Sequence, residues 1–250
     1  MPSKNLIAPG RKAVSILLSK REVEAVIRHP ERIRVYYQPV VNIQSGRPWG
    51  YEALVRGDGV LAKPGRLFKS AGAWGFLGEL DAACFKAVLA GGMPREGVLA
   101  VNVTATGLVN LDAAAYANPS LIIELTEYGQ REPRELAGVL ERWRRDGARV
   151  AIDDVGQDSG QLRAALHLKP DFIKLDRSLV AGCDRQAAKR LFLAQALEVC
   201  RYLGAEAIAE GIEKPGELKV LRDLGIEYAQ GYLLGRPQPG WKKAVMAGGG

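Results

Sequence analysis

Short apolar runs that alternate with helical patterns restrict the fold of this chain more than any other feature. Eight runs rich in Val, Ile and Leu have the lengths of buried strands. They lie at residues 33–41, 49–55, 98–103, 121–125, 149–152, 172–175, 205–208 and 227–229. Apolar residues at helical spacing occupy most of the intervals, at 76–89, 136–143, 162–168, 191–203 and 218–224. This alternation within 250 residues predicts an α/β fold of the (β/α)₈ TIM-barrel type.

The connection between the first two strands departs from the pattern of a parallel barrel. Only residues 42–48 separate these strands, whereas a parallel crossover needs about a dozen residues or more. We therefore expect an antiparallel first strand, joined to the second by a hairpin with Asn42 and Gly46 in its turn. Glycines that close a helical pattern just before a strand predict helix ends, at Gly91, Gly147, Gly204 and Gly225.

The domain organisation follows from composition along the chain. No low-complexity linker occurs, so we predict one barrel domain at residues 33–240. A leading segment with a helix precedes it at 1–32, and a tail follows at 241–250. No run of about eighteen apolar residues occurs, which argues against a membrane-spanning helix. The N-terminus lacks a clear signal-peptide pattern, so we expect a cytoplasmic protein.

Charge and cysteine content narrow the functional classes. A net charge of +7 fits either solvated helix faces or a field that attracts an anionic ligand. Binding of duplex nucleic acid is not expected, because no helix-turn-helix or zinc-finger spacing occurs. The three cysteines are scattered and form no CxxC pair, which argues against a disulfide framework or a zinc ribbon.

Most of the predicted strands end in a charged or amide side chain rather than in a turn residue. These residues are Asn102, Glu124, Asp153, Asp154, Lys174 and Glu210, and Glu52 lies in the middle of the second run. Because the carboxyl ends of parallel strands share one face of a barrel, we expect them to converge on one rim. Unpaired acids on one rim repel one another unless a cation lies among them. Oxygen ligands without histidine favour Mg²⁺, Mn²⁺ or Ca²⁺ over zinc.

The adjacent acids and the lysine indicate possible chemistry. Asp153 and Asp154 could serve two metal ions about 4 Å apart, an arrangement used for in-line attack of water on a phosphodiester. Lys174 has two chemical interpretations: it hydrogen-bonds the attacking water, or it forms an imine as in an aldolase-type barrel. Surrounding carboxylates should keep it protonated, which favours the first. For Lys174 alone, a structural salt bridge to Asp176 or another neighbour is a third interpretation.

The chain resembles the EAL-domain family, bacterial phosphodiesterases that hydrolyse cyclic di-GMP. Eight motifs occur in the family's order between residues 35 and 239: YQPVV, GYEALVR, VNVTA, IIELTE, AIDDVG, PDFIKLDRSLV, AIAEGIE and QGYLLGRPQP. The resemblance implies one or two Mg²⁺ or Mn²⁺ ions and a homodimer. It also implies that Glu52, Asn102, Glu124 and Asp153 bind the first ion, and that Asp153 and Asp154 serve the second.

The same resemblance assigns roles to other residues. Lys174 resembles a water-positioning lysine, Glu210 resembles an acid described as a base or as a ligand of metal-bound water, and Glu52 takes part in catalysis as a metal ligand. Gln38 and Arg56 match positions that contact the guanine or phosphate of the ligand. Glu213 and Gln230 match polar positions that contact water or substrate. Glu127 matches a glutamate that braces the loop after the fifth strand. Structural alternatives stay open: a strand-edge contact for Gln38, an ion pair for Arg56 and a surface salt bridge for Glu127.

Three places depart from the family pattern. After Asp154 the family usually has Phe and later a Tyr-Ser pair, whereas this chain has Val155 and no such pair through Leu162. Gly57 stands where a Trp is usual, and Lys214 stands where Thr is common. We expect an active phosphodiesterase that produces linear pGpG. A receptor that binds cyclic di-GMP without cleaving it, and a lyase that works through an imine on Lys174, are the alternatives.

Overall fold

The described residues form a closed barrel of eight strands that neighbour one another in chain order. The structure is a computed structural model, and it describes residues 17–57, 59–126, 133–156 and 165–241. The strands are β1 Arg34–Asn42, β2 Arg47–Arg56, β3 Val98–Thr104, β4 Leu121–Thr126, β5 Arg149–Val155, β6 Phe172–Leu175, β7 Glu206–Ala209 and β8 Tyr228–Ala229. The predicted (β/α)₈ barrel is confirmed, and each strand overlaps its predicted run.

Strand β1 runs antiparallel to both of its neighbours, β2 and β8. All the other strand pairs are parallel. In the β1–β2 turn, the Gly46 amide donates to the Asn42 carbonyl at 2.8 Å, and the Ser45 amide donates to Asn42 Oδ1 at 2.9 Å. Gly46 has a φ of 73°, a left-handed conformation that glycine adopts without strain. The predicted antiparallel hairpin is therefore confirmed, with Asn42 and Gly46 in its turn.

Helices surround the barrel and precede it. They are α1 Lys20–Arg28, α2 Pro64–Trp74, α3 Leu77–Ala90, α4 Ala105–Val109, α5 Ala113–Tyr116, α6 Pro133–Arg145, α7 Arg177–Val180, α8 Ala187–Leu203 and α9 Pro215–Asp223. Residues 165–168 of the segment predicted at 162–168 are helical, and 162–164 lie outside the described residues. Helix α2 was not predicted, because Gly65 and Gly72 interrupt its apolar spacing and weaken the local signal.

An apolar layer fills the interior of the barrel directly beneath the polar strand ends. It consists of Val40, Val98, Ala100, Ile122, Ala151, Phe172 and Ile208, with Trp49 and Tyr228 packed against it. Five of these residues precede by two positions the polar residues Asn102, Glu124, Asp153, Lys174 and Glu210. Side chains two positions apart on a strand point to the same face, so each polar residue stacks above an apolar one. The barrel thereby holds its polar side chains in one layer at the carboxyl end of the strands.

The layer beneath the site is close-packed at Gly50, which makes a substitution there a test of the fold. A Cβ atom at Gly50 would overlap with the side chain and the carbonyl group of Val98 on the neighbouring strand. We expect Gly50→Ala to lower the free energy of unfolding by about 1–3 kcal/mol, because an overpacked core strains the backbone. The measurement is urea unfolding followed by circular dichroism.

Gly138→Ala in α6 is the matched control for this prediction. A Cβ atom there meets nothing within 4 Å, and alanine favours a helix interior by about 0.5–1 kcal/mol over glycine. Equal effects of the two substitutions would contradict the assigned packing.

Candidate functional site

Lys174 lies at the centre of the polar layer, with its side chain 1% exposed. Its Nζ atom is 2.8 Å from Glu210 Oε1, 3.1 Å from Glu124 Oε2, 3.2 Å from Asp153 Oδ1 and 3.5 Å from Glu52 Oε1. Burial by itself lowers the pKa of Lys174, but the four carboxylates together raise it well above its usual value. Lys174 is therefore an ammonium ion, and a protonated amine is a poor nucleophile for imine formation.

Two amide side chains orient the carboxylate of Glu52. Asn102 Nδ2 donates to Glu52 Oε1 at 2.8 Å, and Gln230 Nε2 donates to Glu52 Oε2 at 2.6 Å. Gln230 Nε2 also lies 3.2 Å from Glu210 Oε1 and so connects two of the acids. Burial raises the pKa of Glu52, but Lys174 and these hydrogen bonds outweigh it and hold the pKa below its usual value. Glu52 is therefore a charged and oriented oxygen donor.

Glu124, Glu210 and Asp154 hold their protons more tightly than Glu52 does. Burial, followed by repulsion from Glu52, raises the pKa of Glu124 well above its usual value. Burial is also the main cause that raises the pKa of Glu210 to about 8 and the pKa of Asp154 to about 6. If all of these carboxylates were ionised, their negative charge would exceed the single positive charge of the Lys174 ammonium. A further cation at this rim would relieve the excess.

The end of β5 turns two successive carboxylates toward the same rim. The register of β5 against β6 shifts between Ile152 and Val155, and Asp154 has a φ of 59°, in the left-handed region. Aspartate tolerates this conformation better than most residues. The Asp154 amide donates to Asp153 Oδ1 at 2.9 Å. The strict alternation of side chains along β5 therefore ends at this junction.

One set of oxygen donors could hold a divalent ion: Asp153, Asp154 and Glu210 each offer an oxygen within 4.8 Å of the others. The predicted first set, Glu52, Asn102, Glu124 and Asp153, stays a prediction, because its three carboxylates contact the Lys174 ammonium in the structure. The Oε1 atom of Gln230 is buried and has no hydrogen-bond partner in the described part of the protein. An all-oxygen donor set with an unsatisfied buried acceptor fits hydrated Mg²⁺ or Mn²⁺.

Of the four residues predicted to bind substrate, Gln230 lies within this layer, and Gln38, Arg56 and Glu213 make their contacts outside its ion pairs. Gln38 lies opposite Glu52 in the hairpin, and its Nε2 donates to the Gly235 carbonyl at 3.1 Å. Arg56 ends β2 and donates to the Val55 carbonyl at 2.8 Å. Glu213 forms an ion pair with Arg177 at 2.9 Å. Glu127 and most of the altered loop after Asp154, residues 157–164, lie outside the described residues.

A cavity of about 240 Å³ adjoins the metal-binding candidates Glu52 and Asn102. It lies where β2 continues past its pairing with β3, against α2 and α3. Its wall is mostly apolar and includes Leu54, Val55, Arg56, Pro64, Phe68 and Cys84. A mostly apolar pocket with one guanidinium group suits a planar base that carries polar edges.

Two buried acids near the site were not predicted from the sequence. Asp81 in α3 accepts hydrogen bonds from the amide and the hydroxyl group of Thr104, at the end of β3. Glu217 in α9 accepts hydrogen bonds from three backbone amides. Neither residue stands at a strand end, so the pattern that revealed the other acids does not include them. The position of Glu217 near a helix start was the available signal.

The EAL domain family matches residues 21–237 of the chain. The chain belongs to the EAL-domain family. Cyclic di-GMP phosphodiesterase NbdA of Pseudomonas aeruginosa is 31% identical to this EAL domain, over 91% of the chain and 32% of that protein. The probable cyclic di-GMP phosphodiesterase PdeN of Escherichia coli is 24% identical, over 88% of the chain and 46% of that protein.

Solved structures agree with the fold of this EAL domain. BlrP1 of Klebsiella pneumoniae, in a complex with calcium and cyclic di-GMP, has a TM-score of 0.73 and 26% identity, over 86% of this chain and 58% of that chain. An EAL domain protein of Listeria monocytogenes has a TM-score of 0.72 and 24% identity, over 90% and 95% of the two chains. The chain spans about a third of the length of the first curated relatives that it matches. In its described part, no helix combines the length and apolar character needed to cross a bilayer.

Removal of the central ammonium should destabilise the EAL domain in the absence of metal. Lys174→Met preserves the length of the side chain but leaves Glu52, Glu124, Asp153 and Glu210 without their shared counter-charge. We expect a loss of about 3–5 kcal/mol in the free energy of unfolding in EDTA, because uncompensated buried charges are strongly unfavourable. Urea unfolding measures it.

Lys219→Met is the control, because Lys219 forms an exposed ion pair with Asp223 in α9. Exposed pairs contribute about 0–1 kcal/mol. A loss at Lys174 no larger than the loss at Lys219 would contradict the central role of the ammonium.

The stability of the metal-free protein should fall as the pH rises toward 8. The folded state raises the pKa of Asp154 to about 6 and that of Glu210 to about 8. An acid with a raised pKa stabilises the fold fully below its unfolded pKa, and this stabilisation is lost as the pH rises through the folded value. We expect the Tm in EDTA to decline between about pH 5 and pH 8, and Glu210→Gln to flatten the upper part of the decline. A wild-type Tm that rises over this range would refute the prediction.

Proposed function

We propose that this EAL domain is a metal-dependent phosphodiesterase that hydrolyses cyclic di-GMP to linear pGpG. The observation that carries the proposal is the convergence of five acids on one rim around the Lys174 ammonium. All-oxygen donor sets of this kind are used for two-ion hydrolysis of phosphodiesters. The relatives named as cyclic di-GMP phosphodiesterases support the choice of substrate.

The proposed metal ligands fall into two sets that share one residue. Glu52, Asn102, Glu124 and Asp153 would hold one Mg²⁺ or Mn²⁺ ion, and Asp153 and Asp154 would hold a second. When bound, such ions supply a nucleophilic water and neutralise the phosphate oxygens. Asn102 and Gln230 keep the Glu52 carboxylate oriented before an ion arrives. Such preorganisation lowers the reorganisation that binding requires.

Lys174 and Glu210 are the proposed catalytic pair. The ammonium of Lys174 donates hydrogen bonds and remains protonated, so it would orient the attacking water and offset charge that develops on the phosphate. Burial is the main cause that raises the pKa of Glu210 to about 8, so its carboxylate, once ionised, is a stronger base than that of an ordinary glutamate. Gln230 donates to Glu210 Oε1 and would hold that carboxylate toward the water.

The surroundings of the acidic rim suit an anionic dinucleotide. The cavity of about 240 Å³ beside Glu52 can take one guanine base. Arg56 at its edge would pair with a phosphate, Gln38 would hydrogen-bond the ligand, and Glu213 and Gln230 would contact water or substrate. The net charge of +7 favours the approach of an anion over the surface as a whole. The brace assigned to Glu127 stays a prediction.

A receptor that binds cyclic di-GMP without cleaving it is the second candidate, and the altered loop after Asp154 favours it. The loop begins at buried Val155 and at Gly156, which packs closely against Leu179. The acids themselves are all present, which supports cleavage instead. Tight binding of a ligand that stays intact during long incubation with metal would establish the receptor.

The decisive experiment is to incubate the purified chain with cyclic di-GMP and Mg²⁺ or Mn²⁺ and to separate the products by chromatography. We expect pGpG with either ion and none in EDTA. Glu52→Gln removes one ligand charge from the first set, so kcat should fall by at least about 100-fold.

Glu22→Gln in α1 serves as the control for Glu52→Gln, because this exposed glutamate accepts hydrogen bonds from Ser19 and lies outside the barrel. Absence of turnover with both ions at high enzyme concentration would reject the phosphodiesterase.

Three further proposals concern the molecule as a whole. We propose a homodimer and a cytoplasmic location, and we keep the domain boundaries at residues 33 and 240 as predictions. Analytical ultracentrifugation would test the dimer, because sedimentation as a monomer at micromolar concentration contradicts it.

A further inference from the structure

Glu217 is a buried carboxylate at the third position of α9, and the mechanism proposed above does not use it. Its Oε2 atom accepts hydrogen bonds from the amides of Glu213 and Lys214, both at 3.0 Å. Its Oε1 atom accepts a hydrogen bond from the Gly182 amide at 2.8 Å. Only 2% of the residue is exposed. Burial raises its pKa, but the three backbone hydrogen bonds outweigh burial and lower the pKa. Glu217 is therefore charged, and both of its carboxylate oxygens accept hydrogen bonds from backbone amides.

These hydrogen bonds join two segments that begin at the site. Gly182 belongs to the connection between α7 and α8, which follows β6 and its Lys174. Glu213 and Lys214 belong to residues 210–214, which follow β7 and begin with Glu210. One carboxylate thus connects the chain that leaves the lysine strand to the chain that leaves the Glu210 strand.

The same 210–214 segment is held on its other side by the chain around Gln230. The Ile212 amide donates to the Gln230 carbonyl at 3.2 Å, and the Leu233 amide donates to the Ile212 carbonyl at 3.0 Å. A Cβ atom at Gly231 would overlap with the backbone of Ile212, so the two stretches touch directly. The segment therefore lies between Glu217 and Gly231. The first residue of the segment, Glu210, contacts Lys174 at 2.8 Å, and its amide donates to the Leu175 carbonyl at 3.0 Å.

We propose that Glu217 is a positioning residue that holds the 210–214 segment, and with it the Glu210 carboxylate, in its place at the metal rim. The expected effect of Glu217 on catalysis rests on the proposed function. Its hydrogen bonds to the backbone do not depend on that function. Glu217 contacts none of the candidate metal ligands directly. It acts through the backbone between residues 210 and 214.

Glu217→Gln tests the proposal with little change in shape. The amide group keeps one acceptor oxygen and places an NH₂ donor where a backbone amide expects an acceptor. At least one of the three amides then loses its partner. We expect faster hydrogen exchange at the amides of residues 182, 213 and 214. We also expect Mn²⁺ affinity and kcat to fall by about 10- to 100-fold, with a smaller change in KM.

Glu22→Gln is the matched control. Glu22 also stands at the third position of its helix and accepts a hydrogen bond from the backbone amide of the N-cap residue, Ser19, at 2.7 Å. It lies on α1, in a segment that precedes the barrel. Loss of a helix-cap hydrogen bond by itself, as in Glu22→Gln, should leave Mn²⁺ affinity and kcat unchanged, whereas the proposal requires both to fall in Glu217→Gln.

The readouts separate failure of this inference from failure of the proposed function. Unchanged exchange at residues 182, 213 and 214, measured by mass spectrometry, would overturn the positioning role. Faster exchange with Mn²⁺ affinity and kcat within about twofold of the control would overturn the link to the site. If the wild-type chain neither binds Mn²⁺ nor cleaves cyclic di-GMP, the proposed function fails, and hydrogen exchange alone decides whether Glu217 holds the segment.

Discussion

The charge balance between one buried ammonium and the acids around it is the constraint on which the rest of this structure depends. Lys174 lies within 3.5 Å of four carboxylates, above an apolar layer that excludes water from below. Electrostatic interactions are stronger in such surroundings than in water, for attraction and repulsion alike. Without the ammonium the ionised acids would repel one another, and one ammonium offsets only part of the charge that they carry when all are ionised. The rim is therefore stable enough to fold and remains receptive to cations.

Positioning of these groups relies on the backbone at the strand ends as much as on the strands. Asp154 adopts a left-handed conformation that brings two consecutive carboxylates to one rim. The Glu210 carboxylate depends on a short segment held between Glu217 and Gly231. Strained or unusual backbone is commonly retained where function needs it. Here it lies at the end of β5, which carries Asp153 and Asp154.

Much of the fold was predictable because its signals are local. Strands and helices alternate in apolar periodicity, and the short 42–48 connection requires a hairpin whatever the rest of the chain does. Helix α2 was missed, since Gly65 and Gly72 obscure its spacing although packing against α1 and α3 supports it. Gln38, Arg56 and Glu213 were singled out by motif, yet in the structure they contact the Gly235 carbonyl, the Val55 carbonyl and Arg177.

The sequence by itself determined which residues stand at the strand ends, because chain position and side-chain alternation are properties of neighbouring residues. It therefore determined the barrel and the set of acids, amides and lysine at one rim. Only the tertiary structure decided that Lys174 contacts four acids at once, that Gln230 connects Glu52 with Glu210, and that Glu217 joins two loops. Those contacts join residues up to 178 positions apart. Their distances follow from the register in which the barrel closes, which no local pattern contains.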